Sequence, residues 1–93
     1  MTLAFVFVNC RDDQTATIEK ALRDIQGVLE ANLTTGIYDL ILKVQADNEI
    51  KLEEVMGRIK AIPGVTATTT SIIYKATSFA STSTTSSDKQ ENP

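Results

Sequence analysis

The chain has no histidine, no tryptophan, one cysteine, two prolines and four glycines among its 93 residues. Without histidine there is no imidazole acid/base, no Ser-His-Asp arrangement and no imidazole-built metal site. A lone cysteine, Cys10, excludes an internal disulfide and leaves no second thiol for a metal cluster. It reads as a small, half-buried hydrophobe in a reducing compartment. Four scattered glycines punctuate turns and form no phosphate-cradling loop. Positive charge is also scarce: nine Lys and Arg against twelve Asp and Glu leave a net charge of −3. The basic residues are interleaved with acids, so no stripe exists to neutralise phosphates, and direct nucleic-acid binding is not expected. The first apolar run, LAFVFV, is too short for a signal peptide and lacks a basic start. Nothing approaches the ~20 apolar residues of a membrane span. These absences together predict a cytoplasmic protein that is not an enzyme and carries no metal or cofactor.

What is present divides into two parts. From Thr77 the chain runs TSFASTSTTSSDKQENP, with Phe79 its only large apolar side chain. Such a segment buries too little apolar surface to offset its ordering entropy, so residues 77–93 are expected to be a disordered tail. Residues 1–76 form one small domain. A domain of that size buries only about 60% of the surface its unfolded chain exposes, and self-association is one usual remedy.

Periodicity lays out that domain. Leu3–Val8 is a continuous apolar, β-favouring run and predicts a strand buried on both faces. Asp12 or Asp13 caps a helix whose stripe is Ile18, Ala21, Leu22 and Ile25, closed by Gly27. VLEANLT (Val28–Thr34) alternates Val28, Glu30, Asn32 and Thr34 against Leu29, Ala31 and Leu33, giving a second strand. Gly36 turns the chain, and YDLILKV (Tyr38–Val44) is the third. Asp47 or Asn48 caps a second helix carrying Leu52, Val55, Met56 and Ile59, ended by Pro63-Gly64. VTATTTSIIY (Val65–Tyr74), dense in β-branched residues, is the fourth strand.

A shift of 37 positions lays Ile18 on Val55, Leu22 on Ile59, Ile25 on Ile62, Gly27 on Gly64 and Val28 on Val65. The same shift places Ala4 and Phe5 on Ile41 and Leu42. Each half is strand, helix, strand, and the whole is βαββαβ. This predicts an α+β ferredoxin-like sandwich, an antiparallel four-stranded sheet with two helices on one face. Of the two sets on the first strand, Leu3, Phe5 and Phe7 against Ala4, Val6 and Val8, one must face away from the helices. A contiguous apolar patch is rare on soluble monomers, so a homodimer packed sheet to sheet is expected.

The chemistry rests on TTGIYDLILKV (Thr34–Val44). An acid beside a turn glycine, at the mouth of an apolar strand, suits recognition of a free α-amino acid. Backbone amides near Gly36 approach a carboxylate closely, because no Cβ intervenes. Asp39 can take the ammonium through a charge-assisted bond. Thr68, Thr70 and Ser71 supply hydroxyls, with Leu33 and Ile72 as apolar walls. The competing reading is that Asp39 only bonds the turn backbone, as Asp commonly does.

EANLTTGIYDLILKV (Glu30–Val44) and IPGVTATTTSIIY (Ile62–Tyr74) resemble the C-terminal regulatory domain of the leucine-responsive regulator (Lrp)/AsnC family, the RAM domain. The resemblance covers about residues 2 to 75, and its most telling piece is the G-x-[YF]-D turn at Gly36, Tyr38 and Asp39. It implies dimers formed by sheet packing, rings of such dimers with eight or ten subunits, and amino-acid effectors bound between dimers. The effector positions implied are Leu33, Gly36, Asp39, Thr68, Thr70, Ser71 and Ile72. Subunit contacts are expected from Phe5, Phe7, Tyr38 and Leu42. The family's regulators begin with a helix-turn-helix, whereas this chain starts at the first regulatory strand. It thus resembles a stand-alone form that senses a metabolite by itself or co-assembles with full-length Lrp/AsnC regulators. Two other readings remain: a purely structural assembly module, and a small enzyme resembling the dimeric antibiotic-biosynthesis monooxygenases, for which no cluster of catalytic side chains is present.

Overall fold

The computed structural model describes residues 1–74. The tail expected over residues 77–93 lies outside them. In chain order the elements are β1 (Thr2–Cys10), α1 (Thr15–Arg23), β2 (Val28–Leu33), β3 (Leu40–Ala46), α2 (Glu49–Lys60) and β4 (Val65–Ile73). The sheet order is β2-β3-β1-β4 and every neighbouring pair is antiparallel. This is the ferredoxin-like sandwich, with the two most apolar strands at its centre.

The helices cover one face. Ala4, Val6 and Val8 of β1 and Leu40, Leu42 and Val44 of β3 are all fully buried. They pack with Ile18 and Leu22 of α1 and with Leu52, Val55, Met56 and Ile59 of α2. Burying each such side chain contributes roughly 1.5–3 kcal/mol, so this layer carries most of the fold's stability. Leu3, Phe5 and Phe7 therefore occupy the opposite, open face, where Phe5 stays 39% exposed. Register adds Ile41, which pairs with Phe7, and Ser71, which pairs with Phe5. Leu42, expected among the subunit contacts, is on the wrong side: it pairs with Val6 and lies fully buried beneath the helices. Ile41 holds the open-face position instead.

The source of that misplacement is physical. The 37-position echo aligns the helices, but it lays buried Ala4 on open-face Ile41. The buried strand positions coincide at a shift of 36, which lays Ala4, Val6 and Val8 on Leu40, Leu42 and Val44, and a one-residue offset exchanges the faces of a strand.

Both helix starts are instructive. Asn48 caps α2, its side-chain oxygen accepting the Lys51 N–H at 2.9 Å. On α1 the cap position is Gln14, whose side chain makes no capping bond, so neither Asp12 nor Asp13 plays the expected part. The Gln14 side chain instead lies over Gly64, where φ is +96° and an added Cβ would collide with Oε1. The alternation expected along β2 is also broken. Its register with β3 slips between Val28 and Glu30, making Leu29 a bulge, so Val28 pairs with Val44 while Glu30 pairs with Lys43. Val28 and Glu30 consequently face opposite sides of the sheet. β3 begins at Leu40 rather than Tyr38, because Tyr38 and Asp39 are held in the turn.

Candidate effector site

The β2–β3 turn is closed at its base by two bonds from one residue. Thr34 N–H donates to the Asp39 carbonyl at 3.1 Å. Thr34 Oγ1 donates to the Tyr38 carbonyl at 2.6 Å. Gly36 sits at the tip with φ +106° and nothing within 4 Å of where a Cβ would be. A left-handed φ strains any residue with a side chain, so glycine here serves the turn, and its exposed backbone is open to approach. Ile37 is 82% exposed and Leu33 59%, so the turn also presents apolar surface to solvent.

Asp39 faces inward. Its backbone N–H donates to the Val8 carbonyl at 3.0 Å. One carboxylate oxygen, Oδ2, accepts the Cys10 N–H at 2.7 Å, across 29 residues of sequence. The carboxylate therefore bonds neither the turn backbone nor solvent alone; it closes the end of β1. Cys10 is buried, and its thiol is raised above the ordinary cysteine value, first by burial and then by the Asp39 charge. Tyr38 lies against Phe7, ring centroids 5.0 Å apart and tilted by 39°, which extends the aromatic surface of the open face to the turn.

The predicted effector residues do not form one cluster within a subunit. Leu33 pairs with Leu40, Leu40 with Val8 and Val8 with Thr68, so these four make one row across the sheet. Three strand spacings separate Leu33 from Thr68, roughly 14 Å, and the diagonal to Ile72 is roughly 20 Å. Nor do the β4 residues share a face. Thr68, Thr70 and Ile72 pair with buried Val8, Val6 and Ala4 and so face the helices, while Ser71 faces the open side with Phe5. The Thr70 hydroxyl donates to the Met56 thioether at 3.5 Å. Thr70 and Ile72 line a cleft of about 420 Å³ against α2, with Glu53, Met56, Gly57 and Lys60 among its walls. Neither Gly36 nor Asp39 reaches that cleft.

Two parts of the site escaped the sequence: the Cys10 amide and Ile41. Strict alternation along β1 and β3 would have found Ile41, given which β1 set is buried. No local signal identifies the Cys10 amide, because its partner is remote in the chain.

Fold and turn together define a small α+β domain whose β2–β3 turn carries an exposed glycine and a carboxylate tied to β1. Residues 3–82 match the family described as the Lrp/AsnC ligand binding domain. The chain belongs to this family. It is 32% identical over 73 residues to the HTH-type transcriptional regulator FL11 of Pyrococcus abyssi, covering 78% of this chain and 48% of the regulator. It is 33% identical over 73 residues to a homocitrate synthase of Sulfurisphaera tokodaii, covering 77% of this chain and 16% of the synthase. Among solved structures, TTHA0845 of Thermus thermophilus superposes with a TM-score of 0.81 at 28% identity, covering 85% of this chain and 100% of that one. A feast or famine regulatory protein of M. tuberculosis, complexed with L-methionine, shares the fold with a TM-score of 0.73 at 23% identity, covering 86% of this chain and 54% of that one. The chain thus spans about half of the regulator and a sixth of the synthase it matches. No helix among the described residues is long and apolar enough to cross a membrane.

Proposed function

We propose that this domain self-associates and binds a small effector, an amino acid, where the glycine turn of one subunit meets β4 of another. The observation that carries the reading is the separation of the two half-sites. Leu33, Gly36 and Asp39 lie at the β2–β3 end of the sheet, and Thr68, Thr70, Ser71 and Ile72 lie along the far edge strand. A free amino acid is too small to touch both within one subunit, so the set makes chemical sense only across a boundary. The apolar open face formed by Phe5, Phe7, Ile41 and Tyr38 supports that assembly. Family membership and the L-methionine complex of the mycobacterial relative support an amino acid as the ligand class. In the bare fold the Cys10 amide holds Oδ2 of Asp39, and the ammonium group draws on that same carboxylate.

The bound domain would act on whatever it is joined to or assembled with. FL11 argues for full-length transcription regulators as partners, and the synthase match argues that the same domain also serves a biosynthetic enzyme. A second reading is a structural assembly module without ligand. It is favoured by the Cys10 bond, which gives Asp39 a purpose in the bare fold.

Titration calorimetry with each proteinogenic amino acid separates the two. Asp39→Asn keeps an acceptor for the Cys10 amide but removes the charge. The sensor reading expects at least one amino acid to bind the wild type, and Asp39→Asn to lose that binding while keeping its fold and its assembly. Silence across the whole panel leaves the structural module standing.

A further inference from the structure

We propose that Asp39 is a positioning residue that couples two effector sites through one subunit, tying the glycine turn to the head of β4 by way of the Cys10 amide. The inference deepens the proposed function and rests on it for its purpose. A subunit that lends its turn to one site and its β4 to another touches two effectors. Whatever links turn and strand inside that subunit then links the two sites.

The link is short and passes through a deformable point. Asp39 grips β1 twice, by its N–H to the Val8 carbonyl and by Oδ2 from the Cys10 N–H. On its other side β1 pairs Val8 with Thr68 and Cys10 with Val65, and a bulge interrupts this ladder between Asn9 and Cys10. A bulge leaves a residue without its regular ladder partner and lets the strand bend. The skipped residue is Thr66, so the bend falls at the head of β4, while Cys10 keeps the alternation of Val8 and points its amide towards β3, where the Asp39 side chain is the acceptor. The Arg11 N–H then donates to the Gly64 carbonyl at 2.9 Å, fastening the same corner to the residue before β4. The position of Val65–Thr68 therefore depends on a carboxylate that sits in the effector turn. An ammonium group drawn to that carboxylate weakens its hold on the Cys10 amide and shifts the head of β4, half of the neighbouring site.

The test needs no effector, so its failure is distinct from failure of the ligand reading. Amide hydrogen exchange is measured on the wild type, Asp39→Asn, Asp39→Ala and Gly36→Ala. Asp39→Ala is expected to speed exchange about tenfold or more at Cys10 and at the inward-facing amides of Val65–Thr68. The opposite end of the same strands, near Ala4 and Ile72, is expected to keep its wild-type rates. Asp39→Asn retains the acceptor and is expected to stay within about threefold of wild type throughout. Gly36→Ala strains only the turn, since open space surrounds its Cβ. It is expected to speed the same β4 amides, which keeps the test decisive if Asp39→Ala does not fold. Acceleration confined to Cys10 or to the turn, or spread evenly over the whole sheet, overturns the coupling.

Discussion

At the scale of single residues, the informative pair is Asp39 and Cys10. Gly36, Tyr38 and Asp39 stand out in the sequence because an acid beside a turn glycine is unusual at the mouth of an apolar strand. What the acid holds was not legible, since its partner is a backbone amide 29 residues away and an amide carries no sequence signature. Cys10 was legible as a half-buried hydrophobe, and it is buried. Its titration gives a pH prediction. Burial, aided by the Asp39 charge, raises the folded thiol above its unfolded value. A raised acid favours folding while it stays protonated in both states. That contribution is full below the unfolded value and is lost as pH rises through the folded one. Stability measured by urea unfolding should therefore fall as pH rises above the ordinary thiol value of about 8.5, and Cys10→Ala should flatten part of that fall. The measured quantity is the difference between the two slopes. Parallel slopes for wild type and variant would show that the thiol is not held up by its surroundings.

At the scale of elements, all six were legible from periodicity, and their ends were not. Helix stripes repeat over several turns and survive small errors, whereas caps depend on one side chain finding one amide. Asp12 and Asp13 look like caps because Asp favours that position, yet α1 begins beyond them under Gln14, whose side chain is taken up over Gly64. Asn48 had the same credentials and does cap α2. The two helices should respond differently to loss of these groups. Asn48→Ala should lower stability by about 1 kcal/mol, a fall in Tm of roughly 4–8 °C for a domain this small. Asp12→Ala and Asp13→Ala should each stay within about 0.5 kcal/mol of wild type, as surface changes without a structural role do. Thermal unfolding followed by circular dichroism measures all three. A matching loss in Asp13→Ala would mean that the start of α1 is capped in solution by the residue the sequence suggested. The bulge at Leu29 was invisible for a related reason: alternation reports the face of a residue only while the register holds, and nothing local marks the slip between Val28 and Glu30.

At the scale of the whole molecule, the question is what covers the open face. That one β1 set must lie uncovered follows from arithmetic: two helices shield one side of a four-stranded sheet. Which residues share the uncovered side was less legible, because the internal echo set Phe5 beside Leu42, although the sheet turns them to opposite faces. The distinction separates two outcomes. Phe5→Glu or Phe7→Glu places a charge on the open face and leaves the layer beneath the helices untouched. If that face joins subunits, either change should convert the assembly to folded single chains. The far-ultraviolet spectrum would stay wild-type, and the loss of stability would trace to the lost partner. Leu42→Ala opens a cavity in the core and should cost about 2–5 kcal/mol, destabilising the fold while the open face is unchanged. Sedimentation velocity at micromolar concentration, run beside a thermal melt, reads both effects. Dissociation without unfolding in the phenylalanine variants, and unfolding without selective dissociation in Leu42→Ala, is the expected pattern. A wild-type protein that sediments as a stable single chain would remove the boundary between subunits. The glycine turn and β4 would then have no means of meeting around a shared ligand.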